Sequence, residues 1–283
     1  MVKGLAWGED FAGRIQRENF RVHSVFRSVC NLQADRARPL LALVLERGAL
    51  GPNALWLEQA CLADRLQAGQ EVHFAAGRIV CGALEIDCSE VIPYQRVVGP
   101  AAPWDGTALG QVQNWLELQA PGFASGQSKL AAMLGRGLLE ENEALLRAAL
   151  RGLLGSGQGL TPWGDDFAAG VLHAYVRAGP AGNPFLNQLP GIVGEAALQT
   201  NEISRTMLWY AARGTGPAYM ADVVDGIAAG GPGALLPANR LRHVGSSSGL
   251  YLLAGILLGC KITEAREQVC DGRENLGQTQ YLF

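Results

Sequence analysis

The sequence predicts an α+β protein, a β-rich N-terminal part followed by a mainly α-helical C-terminal part. Three observations lead there. Up to about residue 100 the apolar residues alternate or run in short blocks, and beyond about residue 140 they recur every three or four positions. Between them, VVGPAAPWDG (97–106) gathers Pro, Gly and Asp as a linker does. The boundary is placed at residue 103/104, giving a β-rich domain over 1–103 and a helical domain over 104–283.

In chain order, FRVHSVF (20–26) alternates and PLLALVLE (39–46) is a short apolar run, so both read as strands. EVHFAAGRIVCGALEI (71–86) reads as one or two hairpins turning near Gly77 and Gly82. ENEALLRAALRGLLG (141–155) is rich in Leu, Ala, Glu and Arg and reads as a helix closed by Gly155. PWGDDFAAGVLHAYVRAG (162–179) reads as a second helix, stopped by Gly179-Pro180. Further helices are expected at 183–199, 202–214, 217–230 and 248–259.

Composition narrows the function classes. The 283 residues are 48% hydrophobic and 17% charged, which describes a folded globular chain. A net charge of −3 gives no basic face for nucleic acid. Glu9, Asp10 and Arg14 interrupt any apolar leader, and the run GLYLLAGILLG (249–259) reads as too short to span a bilayer. The six cysteines form no C-x-x-C pair and show no zinc spacing with the four histidines. The expectation is a cytoplasmic protein with reduced thiols and no membrane partner.

Three runs carry special chemistry. The first is GLLGSGQGLTPWGDDFAAG (152–170). Its glycines are spaced G-x-G-x-G after a helix, so it fails the dinucleotide fingerprint, and it lacks the lysine of a P-loop. Two readings remain open. In one it is a connector: Gly155 caps one helix, Thr161 is the N-cap of the next, Pro162 its first residue, and Asp165 and Asp166 face the helix dipole. In the other, Gly157, Gly159 and Gly164 let an anion approach backbone N–H groups at a helix start, with an aspartate beside it to hold a metal, orient an amide N–H or accept a proton. The second run, HVGSSSGLYLLAG (243–255), sets Ser246, Ser247 and Ser248 between glycines at a helix start, either as a capped turn or as a cradle of donors. The third, TNEISRT (200–206), has Thr200 or Asn201 as a cap and Arg205 one turn in, either ion-paired on the surface or gripping a carboxylate or phosphate. The three runs are expected to meet at one cleft.

Together these runs resemble the domain family that contains the AllH subunit of oxamate carbamoyltransferase. The resemblance is carried by Gly157 to Asp166, by NEISR and by VGSSSGLYLLAG, with VHSVFRSVCNL and PLLALVL similar as well. It implies a carbamoyltransferase subunit that moves a carbamoyl group between carbamoyl phosphate and oxamate in allantoin degradation, a branch of purine catabolism, within a multi-subunit complex. It implies catalytic roles for Asp165, Asp166 and Arg205. Substrate contacts fall to Gly157, Gly159, Thr161, Gly164, Asn201 and Ser246 to Ser248. No cofactor is expected, with Mg²⁺ left open. Two alternatives stand beside this reading. One is a non-catalytic scaffold or regulatory subunit. The other is a stand-alone Mg²⁺-dependent hydrolase or ligase, in which the adjacent aspartates share an ion only if the helix starts after Asp165, because neighbours on a helix point about 100° apart.

Overall fold

The computed structural model describes residues 1–58, 61–96, 106–122, 129–179 and 182–270. The chain divides into two compact units, Met1–Val97 with Gly216–Ala218, and Val98–Thr215 with Tyr219–Phe283. The expected boundary at 103/104, and most of the linker around it, falls on residues 97–105 and lies outside the described residues.

The first unit is a strand-rich barrel. Its strands are β1 (Val2–Gly8), β2 (Phe20–Val25), β3 (Val29–Gln33), β4 (Leu41–Val44), β5 (Ala54–Leu57), β6 (Glu71–Ala75), β7 (Arg78–Cys81), β8 (Leu84–Asp87) and β9 (Ile92–Tyr94), with helix α1 (Glu9–Ile15) after β1. The sheet order β5-β4-β3-β2-β6-β7-β8-β1-β9 closes because β1 also pairs with β5. β1 therefore has β5 antiparallel on one edge and β8, then β9, parallel on the other. Closure leaves β1 no free edge. Every second residue points inward: Cys30 and Leu32, Leu41 and Leu43, Leu55 and Leu57, and Ile79 and Cys81 are almost wholly buried. The turns at Gly77 and Gly82 fall where the sequence puts them, at φ +74° and +55°. The charges Glu9, Asp10 and Arg14 belong to α1, whose Phe11 and Ile15 pack into the barrel core. Burial pushes the Cys30 thiol up to about 12 and the Cys81 thiol to about 11, so both are inert nucleophiles at neutral pH.

The second unit is helical: α2 (Gly106–Gln119), α3 (Lys129–Leu139), α4 (Glu143–Leu153), α5 (Trp163–Ala178), α6 (Pro184–Ala196), α7 (Glu202–Ala211), α8 (Ala218–Ala229), α9 (Leu235–Leu241) and α10 (Ser248–Cys270). Three of these have weak sequence signals. The apolar stripe of α2 is narrow, α9 has seven residues, and α3 carries Gly135 and Gly137, which lower helix propensity. Tertiary packing settles α3, since a Cβ on Gly137 would stand 2.8 Å from the backbone nitrogen of Leu146 in α4.

At the centre lie α5 and α10. Their backbones touch: a Cβ on Gly170 would fall 2.2 Å from the Leu252 carbonyl oxygen, and one on Gly255 2.2 Å from that of Phe167. Gly170 also faces Gly255 and Ile256, and Gly259 faces Val171 and Tyr175 further on, so the contacts advance along both helices together. The two helices therefore run in the same direction, and both begin at one end of the unit. The reading of 249–259 as too short for a bilayer needs correction. α10 extends to Cys270, and Ser248–Glu267 is long and apolar enough to cross a membrane, although 72% of that stretch is buried inside the protein, as in a core helix.

Candidate functional site

The site is built where α4 ends and α5 begins. Asn142 caps the start of α4, its side chain accepting from Leu145 N at 3.0 Å. At the other end Leu154 turns extended and Gly155 takes φ +79°, closing the helix as expected. The side-chain amide of Gln199 reaches the carbonyls of Leu150, Arg151 and Leu154 at 3.1–3.2 Å and satisfies that helix end. Gln199 was not singled out from the sequence; its signal was its place immediately before Thr200-Asn201.

The loop then crosses itself. Ser156 O accepts from Gly164 N at 3.1 Å. Gly157 sits at φ +113° with its Cα face against Trp163, where a Cβ would be 2.4 Å from the indole. Gly164 packs on the end of α4, a Cβ there falling 2.0 Å from the Leu153 carbonyl oxygen. These two positions require glycine for different reasons, left-handed backbone and close approach. Gly155, Gly157 and Gly159 face solvent.

Thr161 departs from the expected capping scheme. Pro162 occupies the N-cap, with φ −53° and ψ 146°, and the helix proper opens at Trp163. The Thr161 hydroxyl instead donates to Asp166 Oδ2 at 3.1 Å and lies 2.9 Å from Ser248 Oγ, 87 residues away. A tertiary partner has outbid the local backbone N–H.

The two aspartates have opposite surroundings although both are buried, at 0% and 1% exposure. Asp165 Oδ1 accepts from Gly155 N at 2.7 Å and Oδ2 from the Thr200 hydroxyl at 2.5 Å, so both oxygens are occupied. The Gly155 N–H is thus taken by Asp165 and is not a free donor for an anion. Asp166 Oδ2 meets hydroxyls, while Asp166 Oδ1 is buried with no hydrogen-bond partner. Burial pushes the Asp166 carboxyl up to about 7. Hydrogen bonds from Ser248 and Thr161 pull against this, and the negative charge of Asp165 adds to it.

All three runs are joined by these bonds. Asn201 caps α7 with its oxygen (Ile203 N and Ser204 N, both 3.0 Å) and ties α7 to the loop through its amide (Leu160 O, 2.8 Å). Ser248 sits half-buried at the start of α10, whereas Ser246 and Ser247 are exposed. Arg205 is half-buried and pairs with Glu202 of its own helix at 3.1 Å. Ser204, one residue earlier, is buried with its hydroxyl lacking a partner, the second orphan oxygen within these runs. Trp163 and Tyr251 stand ring to ring, 5.9 Å between centroids, and tie the first turns of α5 and α10. Among the described residues no three His, Cys, Asp or Glu side chains gather as a metal-binding group. Since α5 opens at Trp163, Asp165 and Asp166 both lie within the helix and point apart.

Two family models match the chain. The model described as oxamate carbamoyltransferase subunit AllH covers residues 153–260, and the AllH family N-terminal domain covers residues 3–93. The chain belongs to the AllH family. The C-terminal match spans the site from Leu153 through Tyr251, and the N-terminal match spans all but the outermost residues of the barrel strands. No curated protein and no solved structure matches the chain.

Proposed function

We propose that this AllH-family chain is a carbamoyltransferase subunit that moves a carbamoyl group between carbamoyl phosphate and a small anionic amide, oxamate, with oxalurate as the carbamoylated product. The observation that carries the proposal is the joining of three helix starts, α5, α7 and α10, through two buried carboxyls, one of which, Asp166, has an unpartnered oxygen. Helix starts concentrate positive potential, which suits two anionic substrates and a phosphate leaving group. In the transfer, the oxamate nitrogen bonds to the carbamoyl carbon, the bond from that carbon to the phosphate oxygen breaks, and a proton leaves the nitrogen. A carboxyl pushed to about 7 is matched to returning that proton to the nitrogen in the reverse, phosphorolytic direction, which starts from its neutral form. Arg205 exchanges Glu202 for a substrate carboxylate or phosphate. The reading places the protein in the cytoplasm, in allantoin degradation, working with other subunits, and without a metal, nucleic acid or membrane.

A scaffold reading has one observation in its favour. Leu160 and Leu198, in the segments that Asn201 and Gln199 tie together, are 59% and 72% exposed, as residues covered by a partner chain would be. The test assays oxalurate phosphorolysis with partner subunits present. Asp166→Asn is expected to lower kcat by on the order of 10²–10⁴, the usual worth of a positioned acid or base. Full activity in the Asp165→Asn/Asp166→Asn double variant would remove both carboxylates from the chemistry and favour the scaffold.

A further inference from the structure

The hydrogen-bonding capacity around Asp166 assigns a state to its carboxyl. The Thr161 hydroxyl donates to Asp166 Oδ2 and lies 2.9 Å from the Ser248 hydroxyl, which also bears on the Asp166 carboxyl. Oδ2 is therefore supplied with a donor from the protein. Oδ1 is not: it is buried, and nothing within the described residues bonds to it. An ionised Asp166 would leave half of its charge on a buried oxygen with no hydrogen-bond partner among the described residues, which is a costly arrangement in a protein interior.

The charges around it do not relieve that cost. On α5 its neighbour Asp165 is a like charge that disfavours ionisation. On α7, Glu202 and Arg205 pair with each other. On α10 the nearest titratable group is Tyr251, whose ring is turned to Trp163. Between α9 and α10, His243 is exposed and bonded through Nδ1 to Asn239 O at 2.7 Å. The loop from Gly152 to Pro162 carries no titratable side chain. A neutral carboxyl lowers the cost: Oδ2 accepts, and Oδ1 carries a proton in place of charge, its O–H left for an acceptor that a ligand would bring.

We propose that Asp166 stands neutral in the resting site with its proton on Oδ1, and that this O–H donates a hydrogen bond to a carboxylate oxygen of the bound acceptor. The inference rests on the carbamoyl-transfer reading for the identity of the acceptor, but not for the protonation state. An anion bound at Oδ1 favours the neutral form further, so acceptor binding and the Asp166 proton are linked. The burial that pushes this carboxyl up to about 7 agrees with that state.

Two measurements on the full chain test it. The first is oxamate binding by calorimetry between about pH 5.5 and 9, a range in which oxamate's own carboxylate stays ionised, unlike inorganic phosphate. Kd is expected to weaken about tenfold per pH unit above the Asp166 midpoint, the signature of one linked proton. Asp166→Asn should bind with a flat pH profile, because its amide oxygen accepts from Thr161 and its nitrogen donates from the Oδ1 position. A wild-type Kd that is flat or tightens as pH rises overturns the donor. The second measurement needs no ligand: the infrared C=O band of a protonated carboxyl at neutral pH, present in wild type and lost in Asp166→Asn. A band already gone by about pH 5, the ordinary carboxylate range, overturns the neutral state and leaves carbamoyl transfer standing. A band present at neutral pH with no oxamate binding at any pH overturns the acceptor assignment, and with it the proposed function.

Discussion

Asp166→Asn is expected to stabilise the helical unit at alkaline pH, against the usual direction for a change at a buried polar residue. Asp166 is 1% exposed, and its carboxyl is pushed from an ordinary 3.8 to about 7. At 1.36 kcal/mol per pH unit, that displacement corresponds to roughly 4 kcal/mol. The sign follows from proton counts. Below about pH 4 both the folded and unfolded chains hold the proton, and the group has no effect. From about pH 4 to 7 the unfolded chain releases it while the folded chain keeps it, so stability falls as pH rises. Above about 7 both are ionised and the loss is complete. Asparagine has no proton to lose. The difference between variant and wild type should therefore be near zero at about pH 3, about 1–2 kcal/mol at pH 5, and roughly 4 kcal/mol in the variant's favour at pH 8. Guanidinium unfolding followed by tryptophan fluorescence at these pH values measures it, with every other titrating group cancelling in the difference. A gap that does not change with pH, or an asparagine variant less stable at pH 8, would refute the argument.

Two further outcomes rest on other residues. Asp165→Ala should cost about 2–4 kcal/mol in denaturant unfolding at all pH values near neutral, because it strips the Gly155 N–H and the Thr200 hydroxyl of their acceptor; a cost below about 1 kcal/mol would show that the loop closes without it. Gly170→Ala should destabilise by about 1–3 kcal/mol or more, since its Cβ would meet the Leu252 carbonyl oxygen at 2.2 Å, whereas Gly191→Ala in α6, with open space around its Cβ, should stabilise by about 0.5–1 kcal/mol; equal melting shifts for the two would contradict backbone contact between α5 and α10.

The elements legible in the sequence are those fixed by local rules. β2 and β6–β8 followed from alternation and from glycines at their turns, and α4 and α5 from period and stop signals. Barrel closure was not legible, because it depends on β1 finding β5 and β8, about 50 and 80 residues away, and a strand of seven residues does not declare its partners. The same limit applies in the site. Thr161-Pro162 has the form of a cap followed by a first helical residue, and a local rule reads it so. The structure sends the hydroxyl to Asp166 and Ser248, a contact that exists only because α5 and α10 lie side by side. The runs that meet were legible as runs. Which aspartate each donor reaches was not, since Gly155 and Thr200 approach from two different segments.

Asp165 and Asp166 show how donor count separates two identical, adjacent and equally buried side chains. Each lies in the first turn of α5, where the helix dipole favours an anion by about 0.3–1 kcal/mol. For Asp165, two donors aimed at its two oxygens add to the dipole, and the carboxylate becomes a clamp that holds the loop to α7. For Asp166 the dipole pulls the same way and loses, because burial without a donor on Oδ1 outweighs it several-fold, as the rise to about 7 records. An asparagine at 166 would fill the same volume, accept from Thr161 and carry no ionisation penalty. A carboxyl that costs stability where a neutral isostere fits is explained by what it does with its proton. The division of labour follows: Asp165 positions the loop, and Asp166, next to it and facing elsewhere, keeps the oxygen that the proposed reaction would use.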